Sequence, residues 1–291
     1  MRVVNSLNLP QALVDAVTLE KHNAEGEISA TTLIKGVKEI LLTERHWDDI
    51  EVDVKDMIWS LWGTTTHKLL EKEYDTTFTE EKFEQEVGSY KVTGRVDCYD
   101  MEHEILYDYK TTSAWKIVFK NFEDWYLQGM IYAWLLSKKG LKVNKCKFVA
   151  LLRDWSETES LRKPDYPSSP VYTYEFDVTE KDLEDVEQLV ALKVSQIEKN
   201  ADTPDDEIAE CDRQERWASE DTYAVMKEGR KTSVKNFTDK EEAEKFASEL
   251  GDKHYVQTRP GTDKKCTRYC AACEFCSYYK EHYGQAAEDV E

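Results

Sequence analysis

Long apolar runs are missing from this chain of 291 residues: the longest, residues 130–136, is far too short to cross a bilayer. Its opening, Met1-Arg2-Val3-Val4-Asn5-Ser6, joins no basic region to an apolar stretch. Neither export nor a membrane partner is therefore expected, and the cytoplasm is the predicted compartment. No internal repeat, no low-complexity tract and no phosphate loop of the G-x-x-x-x-G-K-S/T type occurs, so no helicase motor is encoded in this stretch. Positive charge is also in short supply, with 39 Lys and Arg against 59 Asp and Glu and a net charge of −20. Such a balance at first opposes nucleic-acid binding, because cations make the contacts to phosphate.

The distribution of charge along the chain points the other way. From Lys110 to Arg153 there are nine Lys or Arg against two acids, whereas from Glu175 to Asp221 there are five against seventeen. A locally positive groove on an acidic body is compatible with this pattern. The seven cysteines, in a chain without an export signal, read as reduced thiols or metal ligands and not as a disulfide framework.

Apolar spacing predicts a helix over 29–45, starting near Thr31 or Thr32, and another over 53–74 that carries His67 and Glu71 four residues apart on one face. The period then changes. Residues 83–87, 90–99 and 104–110 are short runs rich in β-branched and aromatic side chains, an antiparallel meander with a turn at 100–103. Residues 122–136 return to helical spacing and 146–152 read as a compact apolar strand. The segment 162–170, with three prolines, is a loop, and 171–176 alternates like an outer strand. A helix over 179–199 opens with a Thr cap. Farther on, 223–227, a helix over 239–250 with Thr238 and Glu241 as capping box, and 255–259 form a small strand–helix–strand unit. The order of elements predicts an α/β fold, a mixed sheet covered by helices. Three regions are expected: a helical N-terminal segment (1–50), a core (51–200) and a small α/β extension (201–291).

Gly94-Arg95-Val96-Asp97 and Asp108-Tyr109-Lys110 bring two carboxylates together across one turn, with a lysine two residues past the second. Adjacent strands can aim Asp97 and Asp108 at one cation, and Lys110 shares the sheet face of Asp108 because strand side chains alternate. That is the equipment of a metal-dependent nuclease. Gly94 offers close approach to backbone or substrate. His67 is a further candidate ligand, and its imidazole favours Mn²⁺ somewhat over an all-oxygen Mg²⁺ site. Gln128 and Tyr132, one helical turn apart, can bond a phosphate or a base from one face. Trp115, in a polar stretch after the lysine, is a candidate stacking platform.

In the order His67, Asp97, Asp108-Tyr109-Lys110, Gln128-x-x-x-Tyr132, the chain resembles the PD-(D/E)xK nuclease superfamily, in its RecB-type exonuclease branch. The resemblance covers residues 58–152. It implies a restriction-endonuclease-like fold, with Mg²⁺ or Mn²⁺ on His67, Asp97, Asp108 and the Tyr109 carbonyl. It also implies Lys110 positioning or activating water and Gln128 and Tyr132 touching DNA. The second acid is Asp where many relatives carry Glu, which shortens the arm and keeps the charge.

Cys266, Cys270, Cys273 and Cys276 put four thiols within eleven residues, and Cys211 lies upstream. Thiols this dense favour Zn²⁺ or an iron–sulfur cluster. Taken as Cys211, Cys266, Cys270 and Cys276, they are similar to the 4Fe–4S clasp of RecB-type nucleases, with Cys273 as a substitute ligand. Cys98 and Cys146 read as core.

The functional expectation is a deoxyribonuclease, of exonuclease type, acting on DNA that is single-stranded or has free ends. Its setting would be recombination, repair or phage DNA processing, with a recombination protein as partner and the host cytoplasm as location if phage-encoded. The alternatives are a nuclease-shaped DNA- or partner-binding protein with little cleavage of its own, and a structural zinc protein.

Overall fold

The computed structural model describes residues 1–17, 24–72 and 76–284. They fall into two compact units, Met1–Thr203 and Pro204–Glu291. The first contains, in chain order, β1 (Arg2–Val4), α1 (Gln11–Val17), β2 (Glu27–Ser29), α2 (Ala30–Leu33), α3 (Val37–Arg45), β3 (Glu51–Asp53) and α4 (Val54–Leu70). There follow β4 (Thr77–Val87), β5 (Tyr90–Asp100), β6 (Ile105–Thr112), α5 (Ala114–Val118), α6 (Glu123–Ser137), β7 (Lys145–Leu152), α7 (Glu157–Arg162), β8 (Val171–Asp177) and α8 (Glu180–Lys199).

Among the described residues, six strands form one mixed sheet. β4 and β5 are antiparallel along their length, joined at the two-residue turn Gly88-Ser89, where Gly88 takes φ +57°. Such turns need a residue that tolerates positive φ. On the other side of β5, β2 runs parallel at residues 91–93 and β6 antiparallel at 98–100. β6 continues parallel to β7, and β7 antiparallel to β8. The chain is thus a restriction-endonuclease-like α/β fold, a central mixed sheet flanked by helices.

The core lies between the sheet, α6 and α8. α6 buries Trp125 and every residue from Gln128 to Leu136, so over that stretch it has no polar face to offer water. α8 presents Val186, Val190, Val194 and Ile197 at helical spacing. Each such side chain contributes roughly 1.5–3 kcal/mol by leaving water. The helix starts at a capping box between Thr179 and Asp182. β7 alternates, burying Cys146, Phe148, Ala150 and Leu152, whereas β8, on the sheet edge, buries none of its residues. Cys98 and Cys146 are both core.

In the first unit, three local expectations differ from what forms. The helix expected over 29–45 is two helices: α2 ends at Leu33, and Gly36, extended at φ −67° and ψ 146°, starts α3. α4 stops at Leu70, and the expected end at Tyr74 lies outside the described residues. Strand β4 begins at Thr77, not at Phe83, a difference that matters for the site.

The second unit holds β9 (Thr222–Lys227), β10 (Lys235–Phe237), α9 (Lys240–Leu250), β11 (His254–Arg259), α10 (Lys264–Arg268) and α11 (Ser277–Tyr283). β10 and β11 flank β9, both antiparallel to it, and α9 packs Ala243 and Ala247 against Val225. The N-cap of α9 is Asp239, accepting from the Glu242 N–H at 2.9 Å, not Thr238 with Glu241. A carboxylate one residue later in the chain supplies the stronger acceptor.

Candidate active site

β5 and β6 pair at Cys98↔Tyr107, Tyr99↔Leu106 and Asp100↔Ile105, and then separate. Asp97 and Asp108 are the first residues past the last pair, at the mouth of the opening. Separation frees the Tyr109 N–H from the ladder, and it donates to Asp97 Oδ2 at 2.7 Å. The other oxygen, Asp97 Oδ1, lies 3.2 Å from His67 Nδ1 on α4. That imidazole also lies 3.6 Å from Glu80 Oε1.

Glu80 escapes a reading of the sequence alone. It belongs to β4, directly opposite Asp97, between the pairs Thr79↔Cys98 and Glu81↔Val96. Its φ is +53°, a left-handed conformation unusual for a residue other than glycine and one that costs about 1–3 kcal/mol. The Arg95 guanidinium donates to the Glu80 carbonyl at 3.4 Å. Counting back from the Gly88-Ser89 turn places Glu80 opposite Asp97 once Thr77-Phe78-Thr79 is taken as strand.

His67, Glu80 and Asp97 each offer a ligand atom, all within 4.8 Å of one another. Their charges are coupled. The hydrogen bond to Asp97 holds the His67 proton above the ordinary imidazole range, against the opposing effect of burial. Burial raises the Glu80 carboxyl, and the Asp97 charge raises it further. The Glu80 and Asp97 carboxylates, which repel each other beside the His67 imidazole, are relieved by a divalent cation, and the donor set is one that Mg²⁺ and above all Mn²⁺ accept.

Asp108 is sealed, with its side chain 2% exposed. Burial pushes its carboxyl up to about 6; the Lys110 ammonium opposes this and the Asp97 charge adds to it. Asp108 Oδ1 makes no regular hydrogen bond, although the Lys110 Nζ is 2.7 Å away. Lys110 also donates to Gln128 Oε1 at 2.9 Å. Gln128 Nε2 in turn faces Asp108 Oδ2 at 3.3 Å and the Tyr132 hydroxyl at 2.9 Å. Gln128 and Tyr132 are therefore both buried and bonded inward, whereas Trp115, in the first turn of α5, is 42% exposed. At Gly94 the close approach comes from α6. A Cβ there would meet Tyr132 and Leu135 at 2.7–2.9 Å, so its missing side chain admits α6.

In the second unit, the thiols of Cys211, Cys266, Cys270, Cys273 and Cys276 are all half-buried, and none of them forms a disulfide. Burial pushes Cys266 up to about 12, aided by Asp263 and by the nearby Cys211 and Cys276. Burial likewise raises Cys273. Arg216 ties the segments together: it donates to the Cys211 carbonyl, lies 3.4 Å from Asp263 Oδ1 and covers the Tyr278 ring at 4.4 Å. Asp263 Oδ2 accepts from the Tyr278 and Tyr283 hydroxyls at 2.7 and 3.0 Å.

A mixed sheet that opens on acids, an imidazole and a lysine defines a hydrolase of the nuclease class. The chain belongs to the PD-(D/E)XK nuclease superfamily, whose family model matches residues 22–278. Among solved structures, SSO0001 is similar at 18% identity over 67% of this chain and 85% of that chain, with a TM-score of 0.44. LHK-Exo in complex with dAMP is 11% identical over 60% of this chain and 90% of that one, with a TM-score of 0.40. A phage-related exonuclease from Haemophilus somnus 129PT is 12% identical over 57% and 73%, with a TM-score of 0.31. Likenesses this remote carry no inference about activity. A search of curated proteins finds no match. No helix among the described residues is long and apolar enough to cross a membrane.

Proposed function

We propose that this nuclease is a Mg²⁺- or Mn²⁺-dependent DNA exonuclease acting on strands that are single or have free ends. The observation that carries the reading is the convergence of His67, Glu80 and Asp97 within 4.8 Å, at the mouth where the Asp108–Lys110 ion pair of 2.7 Å begins. His67, Asp97, Asp108 and the Tyr109 carbonyl would hold the cation, with Glu80 as an added ligand. Bound there, a divalent cation supplies a Lewis acid for the scissile phosphate and lowers the pKa of a water.

The chain's own groups do the rest. Asp108 and Gln128 fix the Lys110 ammonium on two sides, which orients its remaining N–H for the attacking water or a phosphate oxygen. The new P–O bond forms as the bond to the leaving strand oxygen breaks, and the ammonium offsets the charge that accumulates on phosphorus-bound oxygen. Tyr132 buttresses Gln128, so these two residues serve DNA cleavage by holding Lys110. Of the three residues expected to touch DNA, Trp115 is the exposed one, and its ring is open to a base.

Cys211, Cys266, Cys270 and Cys276 would hold a 4Fe–4S cluster, with Cys273 as substitute and Zn²⁺ as the alternative occupant. The nearness of the Cys211 and Cys276 thiols to Cys266, all half-buried, supports such a centre, whose contribution would be to fasten the tail. Recombination, repair or phage DNA processing in the cytoplasm, beside a recombination protein, is the setting that suits such an enzyme.

The test is digestion of end-labelled linear and circular single-stranded DNA in Mn²⁺. Mononucleotides or short products from the linear strand, with the circle intact, support the exonuclease. Absence of any product overturns it in favour of a binding protein. Absorption in the iron–sulfur charge-transfer region, with iron and zinc analysis, decides the occupant of the thiols.

A further inference from the structure

Three tryptophans surround the end of β6, just past Lys110, and all three face solvent: Trp59 is 53% exposed, Trp62 is 50% and Trp115 is 42%. Trp59 and Trp62 lie on α4, the helix of His67, with ring centroids 6.0 Å apart at an interplanar angle of 62°. The neighbouring Gly63 approaches the Thr111 hydroxyl of β6. Across from them, the Arg153 N–H donates to the Thr112 carbonyl at 2.9 Å, and the Arg153 guanidinium lies over Trp59 at 4.5 Å. On the far side Ser113 caps α5, fixing the backbone of Trp115, and the Lys163 ammonium stands 4.7 Å over the Trp115 ring. Two indole surfaces, each with a cation laid on it, thus stand beside the last residues of one strand.

Exposed indoles are costly in water, since each leaves apolar area unburied, and a surface that keeps three of them together has a partner to meet. The cations identify its chemistry. Lys163 is held beside its ring by Glu159 at 2.6 Å, but an apolar protein partner would have to bury the Arg153 guanidinium over Trp59, whereas a nucleic acid supplies a π-face for the ring and a phosphate for the cation in every residue. In a duplex, both faces of each base are covered, and exposing one means unstacking the helix. We propose that Trp59 and Trp62 with Arg153, and Trp115 with Lys163, are two stacking posts that take unpaired bases of a single-stranded DNA end and lead it to Lys110. The posts rest on the nuclease reading, and they assign to Trp59, Trp62, Arg153 and Lys163 a role in choosing single over double strands.

The test measures anisotropy of a fluorescein-labelled oligothymidylate and of a labelled duplex with the full chain, in Ca²⁺ so that the strand stays intact. Replacing Trp59 and Trp62 by Ala should weaken oligothymidylate binding by about tenfold or more and leave the duplex nearly unchanged. Trp115→Ala should do likewise, and Phe in place of Ala at position 62 should restore most of the loss. The posts are overturned if these chains hold oligothymidylate as tightly as the parent, if both ligands weaken equally, or if the parent holds neither. They are overturned too if sedimentation shows a dimer that the Ala changes dissociate, since the rings then meet a second copy. Cleavage by the parent in Mn²⁺ is scored separately: intact cleavage with no effect of the Trp changes removes the posts and spares the nuclease.

Discussion

The two halves of the site differ in what surrounds their charges. His67, Glu80 and Asp97 form a half-open anionic group whose members answer mainly to one another. Asp108, Lys110, Gln128 and Tyr132 form a closed chain of contacts of 2.7, 2.9 and 2.9 Å running into the core. A loose half can take up a cation; a closed half keeps a lysine still. The strained backbone of Glu80 falls in the first half.

The largest effect should come from the closed half. Lys110→Ala is expected to lower cleavage about a thousandfold or more, and raising Mn²⁺ should not restore it, because no ligand is lost. Recovery at high Mn²⁺ would erase the distinction between the halves. Gln128→Leu comes next. It leaves Lys110, Asp108 and the Tyr132 hydroxyl short of partners, so it should cost about 1–3 kcal/mol in urea unfolding and reduce kcat while KM for DNA stays put. A rise in KM alone would instead make Gln128 a DNA contact.

Asp108 gives a pH signature. Its folded pKa of about 6 lies above the ordinary carboxylate value, so the folded chain holds the proton more tightly and stability falls as pH rises from about 4 to about 6. In chelator, Asp108→Asn should therefore gain on the parent across that window by on the order of 2 kcal/mol. Parallel stability curves for the two chains would show that Asp108 is not held in this way. The smallest effect belongs to the open half: Glu80→Gln should raise the Mn²⁺ needed for half-maximal activity by about tenfold with kcat at saturation little changed.

Much of this is legible in the sequence itself. The periodicity of α6 and α8, the alternation of β7 and the order His67, Asp97, Asp108, Lys110 all sit in local spacing, and local spacing is what strands and helices answer to. What escapes is non-local. Glu80 reaches His67 and Asp97 only because the Gly88-Ser89 turn sets a register that carries it to the level of Asp97, between the pairs Thr79↔Cys98 and Glu81↔Val96. Gly94 is small because Tyr132 and Leu135 arrive from a helix far along the chain. Gln128 and Tyr132 look, as isolated polar residues one turn apart, like a surface pair. Their burial depends on how α6 packs on the sheet, which no spacing within α6 reveals.

The most direct measurement is anomalous diffraction from a crystal of the full chain soaked in Mn²⁺. The expected result is a Mn²⁺ peak bonded to Asp97 and His67, with Glu80 or Asp108 completing the shell at about 2.0–2.2 Å. A peak elsewhere on the chain, with these side chains unliganded at saturating Mn²⁺, would contradict the account.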